Sequence, residues 1–168
     1  MKLLTLVRHG QAEWKASKLA DFDRPLTRRG LAEVTDMARR LRVRELPSPD
    51  LILTSAALRT VQTSEVFAKE LGVSPRLVKL LDTLYLAAPE VLLEEIAGMG
   101  PRVAHLLVVG HNPGLSDLAV QLAPDAGLAS FATGACCTLT FDSRSWQEPG
   151  RASSAEYDAP GRFFDLWH

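Results

Sequence analysis

Two arginines and two histidines stand at positions where they could bind and transfer a phosphoryl group. Arg8 and His9 directly follow an apolar run at the start of the chain. Arg59 lies shortly after a second apolar run, and His111 lies just beyond a third. Arginine presents a planar fork of donors that grips two oxygens of a phosphate at once, and it keeps its charge at any relevant pH. The four residues therefore predict a phosphate pocket, provided that the fold brings them together.

Of the two histidines, His9 is the better candidate for the nucleophile. A neutral imidazole attacks phosphorus through one ring nitrogen when the other is held as a donor, typically to a main-chain carbonyl. Gly10 next to it would let the backbone approach the ligand. His111 would donate to a phosphate oxygen, and the helix that begins after Asn112 would add main-chain N–H donors. We expect a covalent phosphohistidine that water then hydrolyses.

The elements that must position these residues follow from the hydrophobic pattern. Apolar segments alternate with segments of helical period, which predicts an α/β fold in which a mostly parallel sheet lies between two layers of helices. Predicted strands cover residues 2–7, 51–54, 77–81, 105–109, 136–141 and 162–166. Because ligands bind beyond the carboxyl ends of strands in such sheets, the ends of the first, second and fourth strands should meet in one crevice.

Four helices are expected between these strands. The first has Leu31, Val34, Ala38 and Leu41 as its inner stripe, with Thr27 at or near its start. Helices over 55–71, 89–97 and from residue 114 onward complete the set. In the second of the four, Ser55 is the expected N-cap and Gly72 lies just past the end, with an inner stripe at positions 58, 61, 68 and 71. The segment 143–160 is expected to be a surface loop.

Composition indicates one domain over residues 1–168 and excludes several classes of partner. The chain has 19 Lys and Arg against 20 Asp and Glu, a net charge of −1, so its overall field favours neither nucleic acid nor a membrane. The sequence shows no signal peptide or spanning segment, and the adjacent cysteines 136 and 137 suit no disulfide framework, so a cytoplasmic location is expected. No cofactor is expected, and a metal is disfavoured because the arginines would repel a cation.

Longer motifs surround the four residues. They are RHGQAEW at 8–14, PLTRRG at 25–30, TSAALRTVQT at 54–63 and VVGHN at 108–112. In order, spacing and strand context they resemble the histidine phosphatase superfamily, whose best-known branch contains the phosphoglycerate mutases. The resemblance covers roughly residues 1–122. Chain size, together with the stretches at 24–27 and 111–114, is most similar to the small phosphohistidine phosphatases of SixA type.

The resemblance implies a phosphoglycerate-mutase-like fold, with His9 as nucleophile and Arg8, Arg59 and His111 around the phosphate. Gly10 and Asn112 fall in the same phosphate-binding motifs. The chain departs from mutase-like members at Ala12 and Lys15, where those members place phosphate contacts.

The acid that many relatives use to protonate the leaving group is also missing from its usual place. Glu13 and Asp82 are the candidates for that role, Arg24 is expected to form a structural pair, and Trp14 is expected to pack or to shape the pocket rim. An alkoxide leaving group needs a proton donor, whereas the imidazole of phosphohistidine departs neutral after easy protonation.

These residues predict a phosphatase for phosphohistidine on a protein. Two alternatives stay open. One is a phosphomonoesterase or mutase acting on a small phosphorylated metabolite, and the other is a phosphate- or phosphoprotein-binding module without turnover.

Overall fold

A computed structural model describes residues 1–14 and 18–161. Within them the chain forms one six-stranded sheet, with four α-helices packed on it. The strands are β1 (Lys2–Arg8), β2 (Leu51–Ser55), β3 (Val78–Leu81), β4 (His105–Gly110), β5 (Cys136–Phe141) and β6 (Ser154–Asp158). The helices are α1 (Arg28–Val43), α2 (Leu58–Leu71), α3 (Pro89–Ala97) and α4 (Gly114–Leu122).

The strand order is β3-β2-β4-β1-β5-β6. The first four strands are parallel to one another, β5 pairs antiparallel with β1, and β6 pairs antiparallel with β5. Register aligns the ends of the central strands, because Arg8 of β1 lies opposite Gly110 of β4 and Thr54 of β2 lies opposite Val109. The residues that follow these strands therefore leave the sheet at one edge.

Two apolar cores cover the two faces of the sheet. Helices α3 and α4 pack on one face around Leu6, Leu106 and Val108, and α1 and α2 pack on the other face around Val7 and Leu107. Strands β1 and β4 are buried on both faces, as their nearly continuous apolar sequences require. This arrangement confirms the predicted three-layer α/β class.

Helix α1 begins as expected, and three residues of its predicted inner stripe, Val34, Ala38 and Leu41, are buried. The Thr27 side chain caps the helix by accepting a hydrogen bond from the Gly30 N–H at 2.9 Å. Leu31, predicted to face the core, is 47% exposed. The core face starts instead at Gly30, where an added Cβ would lie 2.1 Å from the Gln11 carbonyl oxygen. Glycine allows α1 to approach the backbone at Gln11, and this contact sets the rotation of the helix.

Helix α2 differs from expectation at its start. Its N-cap is Ala57, while Ser55 is the last residue of β2. Leu58 is exposed, and the buried face carries Arg59 and several small polar residues in its first turns. A hydrophobic pattern cannot identify such a face, since the side chains that it buries are polar. At the other end Gly72 closes the helix with φ of +70°, as predicted.

The segment 143–160 is not only a surface loop. It contains β6, which pairs antiparallel with β5 from Cys136↔Asp158 to Thr140↔Ser154. It also contains Trp146, which is buried and donates its indole N–H to the Val103 carbonyl at 2.7 Å. The strand predicted at 162–166 lies outside the described residues. In the part of the chain that is described, no helix has the length and apolar character needed to cross a membrane.

Candidate active site

The edge where the parallel strands end forms a pocket of about 660 Å³. Arg8, His9, Arg59 and His111 all line it, as does Asn112. Their predicted convergence is present because β1, β2 and β4 are neighbours in the sheet and end in register. The His9 N–H donates to the Gly110 carbonyl at 3.1 Å, which ties the first histidine segment to the end of the strand that precedes the second.

His9 is 9% exposed, and one of its ring nitrogens is fixed. Its Nδ1 lies 2.7 Å from the Gly10 carbonyl oxygen, and since that oxygen only accepts, Nδ1 carries the proton and Nε2 keeps its lone pair. Burial lowers the pKa of His9 to about 4, and the charges of Arg59 and Arg8 act in the same direction. The ring is therefore neutral at pH 7.

Gly10 is required for a reason other than ligand approach. A Cβ at this position would lie 2.7 Å from Val34 Cγ1 and 3.0 Å from the Gly30 carbonyl oxygen. Its N–H donates to Thr63 Oγ1 of α2 at 3.1 Å. The close packing of this turn against α1 and α2 fixes the carbonyl that orients His9.

His111 faces His9, with 5.3 Å between the ring centroids. Its Nε2 lies 2.8 Å from Ser55 Oγ, and its Nδ1 lies 3.4 Å from Arg59 Nη2. Burial, together with the nearby His9 and Arg59, lowers the pKa of His111 to about 3. Ser55, expected only to cap a helix, thus holds the second histidine.

The two arginines are anchored by main-chain oxygens. Arg8 Nη1 donates to the Phe131 carbonyl at 2.7 Å, and Arg59 Nη1 donates to the Asp21 carbonyl at 2.7 Å. Arg59 Nη2 also donates to Asp21 Oδ2 at 3.0 Å. The Nη1–Nη2 edge of Arg59 is thereby occupied. The Nε atoms of Arg8 and Arg59 are buried and have no hydrogen-bond partner among the described residues.

Asp21 is a pocket residue that sequence reasoning did not identify. Its carboxylate accepts hydrogen bonds from the Tyr85 hydroxyl, from Arg24 Nε and Nη2 at 3.0 and 2.8 Å, and from Arg59. The Tyr85 hydrogen bond, followed by those of the two arginines, holds the pKa of Asp21 well below its usual range. Asp21 is therefore a carboxylate at neutral pH.

The sequence predicts only part of the cluster formed by Asp21, Arg24, Arg59 and Tyr85. The spacing from Asp21 to Arg24 allows a pair one turn apart, and the structural pairing expected of Arg24 is present. The hydrogen bond between Tyr85 and Asp21 joins residues 64 positions apart, so no local sequence pattern predicts it.

The remaining candidates lie at the rim of the pocket or away from it. Glu13 and Trp14 line the mouth and are exposed, Trp14 by 77%. Asp82 begins a short 3-10 helix, is exposed and is not among the pocket residues. Ala12 lines the pocket with no polar side chain to offer, and Lys15 falls outside the described residues.

Asn112 reaches the pocket, but its side chain serves the surrounding loops. Its Nδ2 donates to the Phe131 carbonyl at 3.0 Å, and its Oδ1 accepts from the Ser116 hydroxyl at 2.7 Å. Asn112 thereby links the start of α4 to the carbonyl that holds Arg8. Across residues 1–14 and 18–161, no three His, Cys, Asp or Glu side chains are grouped so that they could hold a metal ion.

Residues 4–112 match the model of the histidine phosphatase superfamily (branch 1). The uncharacterised protein Rv1276c of Mycobacterium tuberculosis is 38% identical over 121 residues, which is 72% of each chain. The putative phosphohistidine phosphatase SixA of Nakamurella multipartita superimposes with a TM-score of 0.81 at 30% identity, over 95% of this chain and 96% of that one.

A second SixA structure, that of a protein histidine phosphatase complexed with tungstate, gives a TM-score of 0.75 at 25% identity over 93% and 94% of the two chains. The expected phosphoglycerate-mutase-like fold is thus confirmed. From the match over residues 4–112, this chain belongs to branch 1 of the histidine phosphatase superfamily.

Proposed function

We propose that this chain hydrolyses phosphohistidine on a protein through a phosphorylated His9. The observation that carries the proposal is the state of His9, which is neutral, buried and fixed by the Gly10 carbonyl so that Nε2 keeps its lone pair, in a pocket lined by two arginines. Membership of the superfamily implies a phosphorylated substrate. The likeness to two SixA structures supports phosphohistidine as that substrate.

In the first step, His9 Nε2 attacks phosphorus and the bond from phosphorus to the leaving nitrogen breaks. The leaving imidazole departs neutral, because the other ring nitrogen of the phosphohistidine takes a proton from solvent before the P–N bond breaks and keeps it afterwards. Arg8 and Arg59 stabilise the equatorial oxygens as charge shifts during the transfer. Since Asp21 occupies the Nη1–Nη2 edge of Arg59, the Nε–Nη2 edge is the one that we assign to the phosphoryl group.

His111 supplies a further contact. Ser55 Oγ accepts from the Ala57 N–H and can donate its own proton to His111 Nε2, which leaves the ring proton on Nδ1 beside Arg59. We assign this Nδ1–H as a donor to a phosphate oxygen. In the second step a water molecule attacks the phosphorus of phospho-His9, the new P–N bond breaks, and inorganic phosphate leaves with His9 restored.

The choice of a P–N substrate rests on the carboxylates of the pocket. Asp21 is held ionised by Tyr85, Arg24 and Arg59, so it has no proton to donate. Glu13 lies exposed at the mouth. A phosphate ester with a poor leaving group needs a proton donor at its oxygen, whereas protonated imidazole does not.

We place this reaction in the cytoplasm, in accord with Cys136 and Cys137, which are free and buried.

The test is phosphate release from a phosphohistidine-bearing protein and from a panel of phosphate monoesters, by wild type and His9→Ala. We expect release from the phosphoprotein by wild type alone, and a covalent phosphate on wild type that is labile in acid. Release from monoesters but not from the phosphoprotein would favour an esterase. Binding of the phosphoprotein without any release would favour a binding module. Undiminished turnover by His9→Ala would refute the nucleophile.

A further inference from the structure

Leu86 stands in a backbone conformation that suits glycine. The Ala87 N–H donates to the Leu84 carbonyl at 3.3 Å, Tyr85 has φ of −65° and ψ of 117°, and Leu86 has φ of +49°. These values describe a type II turn, whose third position requires positive φ and normally holds glycine or asparagine. A leucine is strained there, and residues held in such conformations cluster at functional sites.

The surrounding contacts fix this turn without help from the Leu86 side chain. On one side the Tyr85 hydroxyl donates to Asp21, and on the other the Ala87 carbonyl packs so closely on α4 that a Cβ at Gly114 would lie 1.9 Å from its oxygen. The Leu86 side chain itself is 57% exposed. The core therefore does not account for a leucine at this position.

Leu86 does line the pocket, and so does Trp14, which is 77% exposed. These are two large apolar side chains at the mouth of a pocket whose floor carries Arg8 and Arg59. The volume of about 660 Å³ lies in the range of sites that take a whole ligand, about 300 to 1,000 Å³, and exceeds the needs of one phosphoryl group. An apolar rim gives nothing to free phosphate, but it can bury the apolar surface that surrounds a phosphorylated side chain.

We propose that Leu86 and Trp14 form a substrate-contact rim that binds the polypeptide around the phosphohistidine. The rim makes the enzyme prefer phosphohistidine within a protein over small phosphoramidates. This inference rests on the proposed function and specifies how that same site selects its substrate.

The experiment compares kcat/KM for a phosphohistidine-bearing protein with kcat/KM for phosphoramidate, which has the same P–N bond but no polypeptide. The variants are Leu86→Gly and Trp14→Ala, with Glu45→Gly as the matched control. Glu45 is the other described non-glycine residue with positive φ, at +57°, and it is exposed and not among the pocket residues. Glycine should relieve strain at both positions, so both glycine variants should melt at or above the wild-type temperature.

We expect the ratio of kcat/KM for the phosphoprotein to kcat/KM for phosphoramidate to fall about tenfold in Leu86→Gly and in Trp14→Ala. The change should come mainly from a higher KM for the phosphoprotein, because removal of one buried apolar side chain lowers affinity by about tenfold. The ratio should stay unchanged in Glu45→Gly. An unchanged ratio in both rim variants, with wild type active on both substrates, would refute the proposed role of the rim and leave the proposed function standing. Wild type active on phosphoramidate and inactive on the phosphoprotein, or inactive on both, would overturn the proposed function and the rim together.

Discussion

Replacing Asp21 by asparagine tests whether this residue positions Arg59 or donates a proton. The substitution keeps the size of the side chain and the main-chain oxygen that accepts from Arg59 Nη1. It removes the charge that faces Arg59 Nη2 and Arg24, and the acceptor of the Tyr85 hydrogen bond becomes neutral. We expect Arg59 to lose its fixed orientation.

The magnitude follows from burial. Breaking an ion pair that is buried on both sides costs about 3 to 5 kcal/mol, whereas an exposed pair contributes about 0.2 to 1 kcal/mol. The Arg59 side chain is 2% exposed and that of Asp21 34%, so solvent screens one partner. We expect the free energy of unfolding to fall by about 1 to 2 kcal/mol. Displacement of the guanidinium should lower kcat/KM by about 10- to 100-fold.

Titration of the tyrosines reports directly on the hydrogen bond between Tyr85 and Asp21. The chain has two tyrosines, Tyr85 and Tyr157, and the hydrogen bond to Asp21 raises the pKa of Tyr85. In Asp21→Asn the pKa of Tyr85 should return toward its ordinary value, as followed by ultraviolet absorbance at alkaline pH. Tyr85→Phe assigns the two transitions.

Substrates with different leaving groups distinguish a positioning role of Asp21 from acid catalysis. A positioning role predicts that Asp21→Asn slows phosphoramidate and aryl phosphate by similar factors, and slows by the same factor the much weaker wild-type activity that we expect on an alkyl phosphate. If Asp21 were a proton donor, the substitution would slow hydrolysis of the alkyl ester most, because an alkoxide is the poorest leaving group of the three. A loss confined to alkyl esters would refute the reasoning, and so would full activity with an unaltered Tyr85 titration.

Two further predictions concern stability. Because burial lowers the pKa of His9 to about 4 and that of His111 to about 3, the unfolded chain binds protons that the folded chain does not. Stability is then complete above about pH 6.5 and falls toward pH 4, by about 2 to 3 kcal/mol for His9 alone; urea unfolding at several pH values should show a shallower fall in His9→Ala. Gly114→Ala places a Cβ 1.9 Å from the Ala87 oxygen and should cost about 1 to 3 kcal/mol, whereas Gly100→Ala, with open space around it, should leave the melting temperature unchanged.

The sequence predicted the elements whose burial pattern agrees with their secondary structure. Helix α3 occupies Pro89–Ala97 as expected, because proline at the first position and the buried Leu92 and Ile96 indicate the same helix. Strands β1 and β4 are apolar throughout since both of their faces are covered. The convergence of Arg8 and His111 followed from one rule of parallel sheets, that strand ends meet at one edge.

The remaining features depend on contacts between distant residues. Strand β6, with the sequence SAEYD, is a polar strand at the edge of the sheet, and only its pairing with β5 identifies it. Trp146 lies in a polar segment, and its burial depends on Val103, 43 positions away. The same holds for Asp21, whose role depends on Arg59 and Tyr85.

Burial has two opposing effects at His9. Desolvation disfavours the imidazolium, which leaves Nε2 unprotonated at pH 7 but also makes the folded state weaker in acid. An anion at Arg8 and Arg59 would oppose part of that effect, because negative charge favours protonated imidazole. The Asp21 carboxylate does this on a small scale already, since it raises the pKa of His111 while burial and the cations lower it. Burial therefore keeps both histidines neutral at pH 7, and a phosphate bound between the arginines would raise their proton affinity.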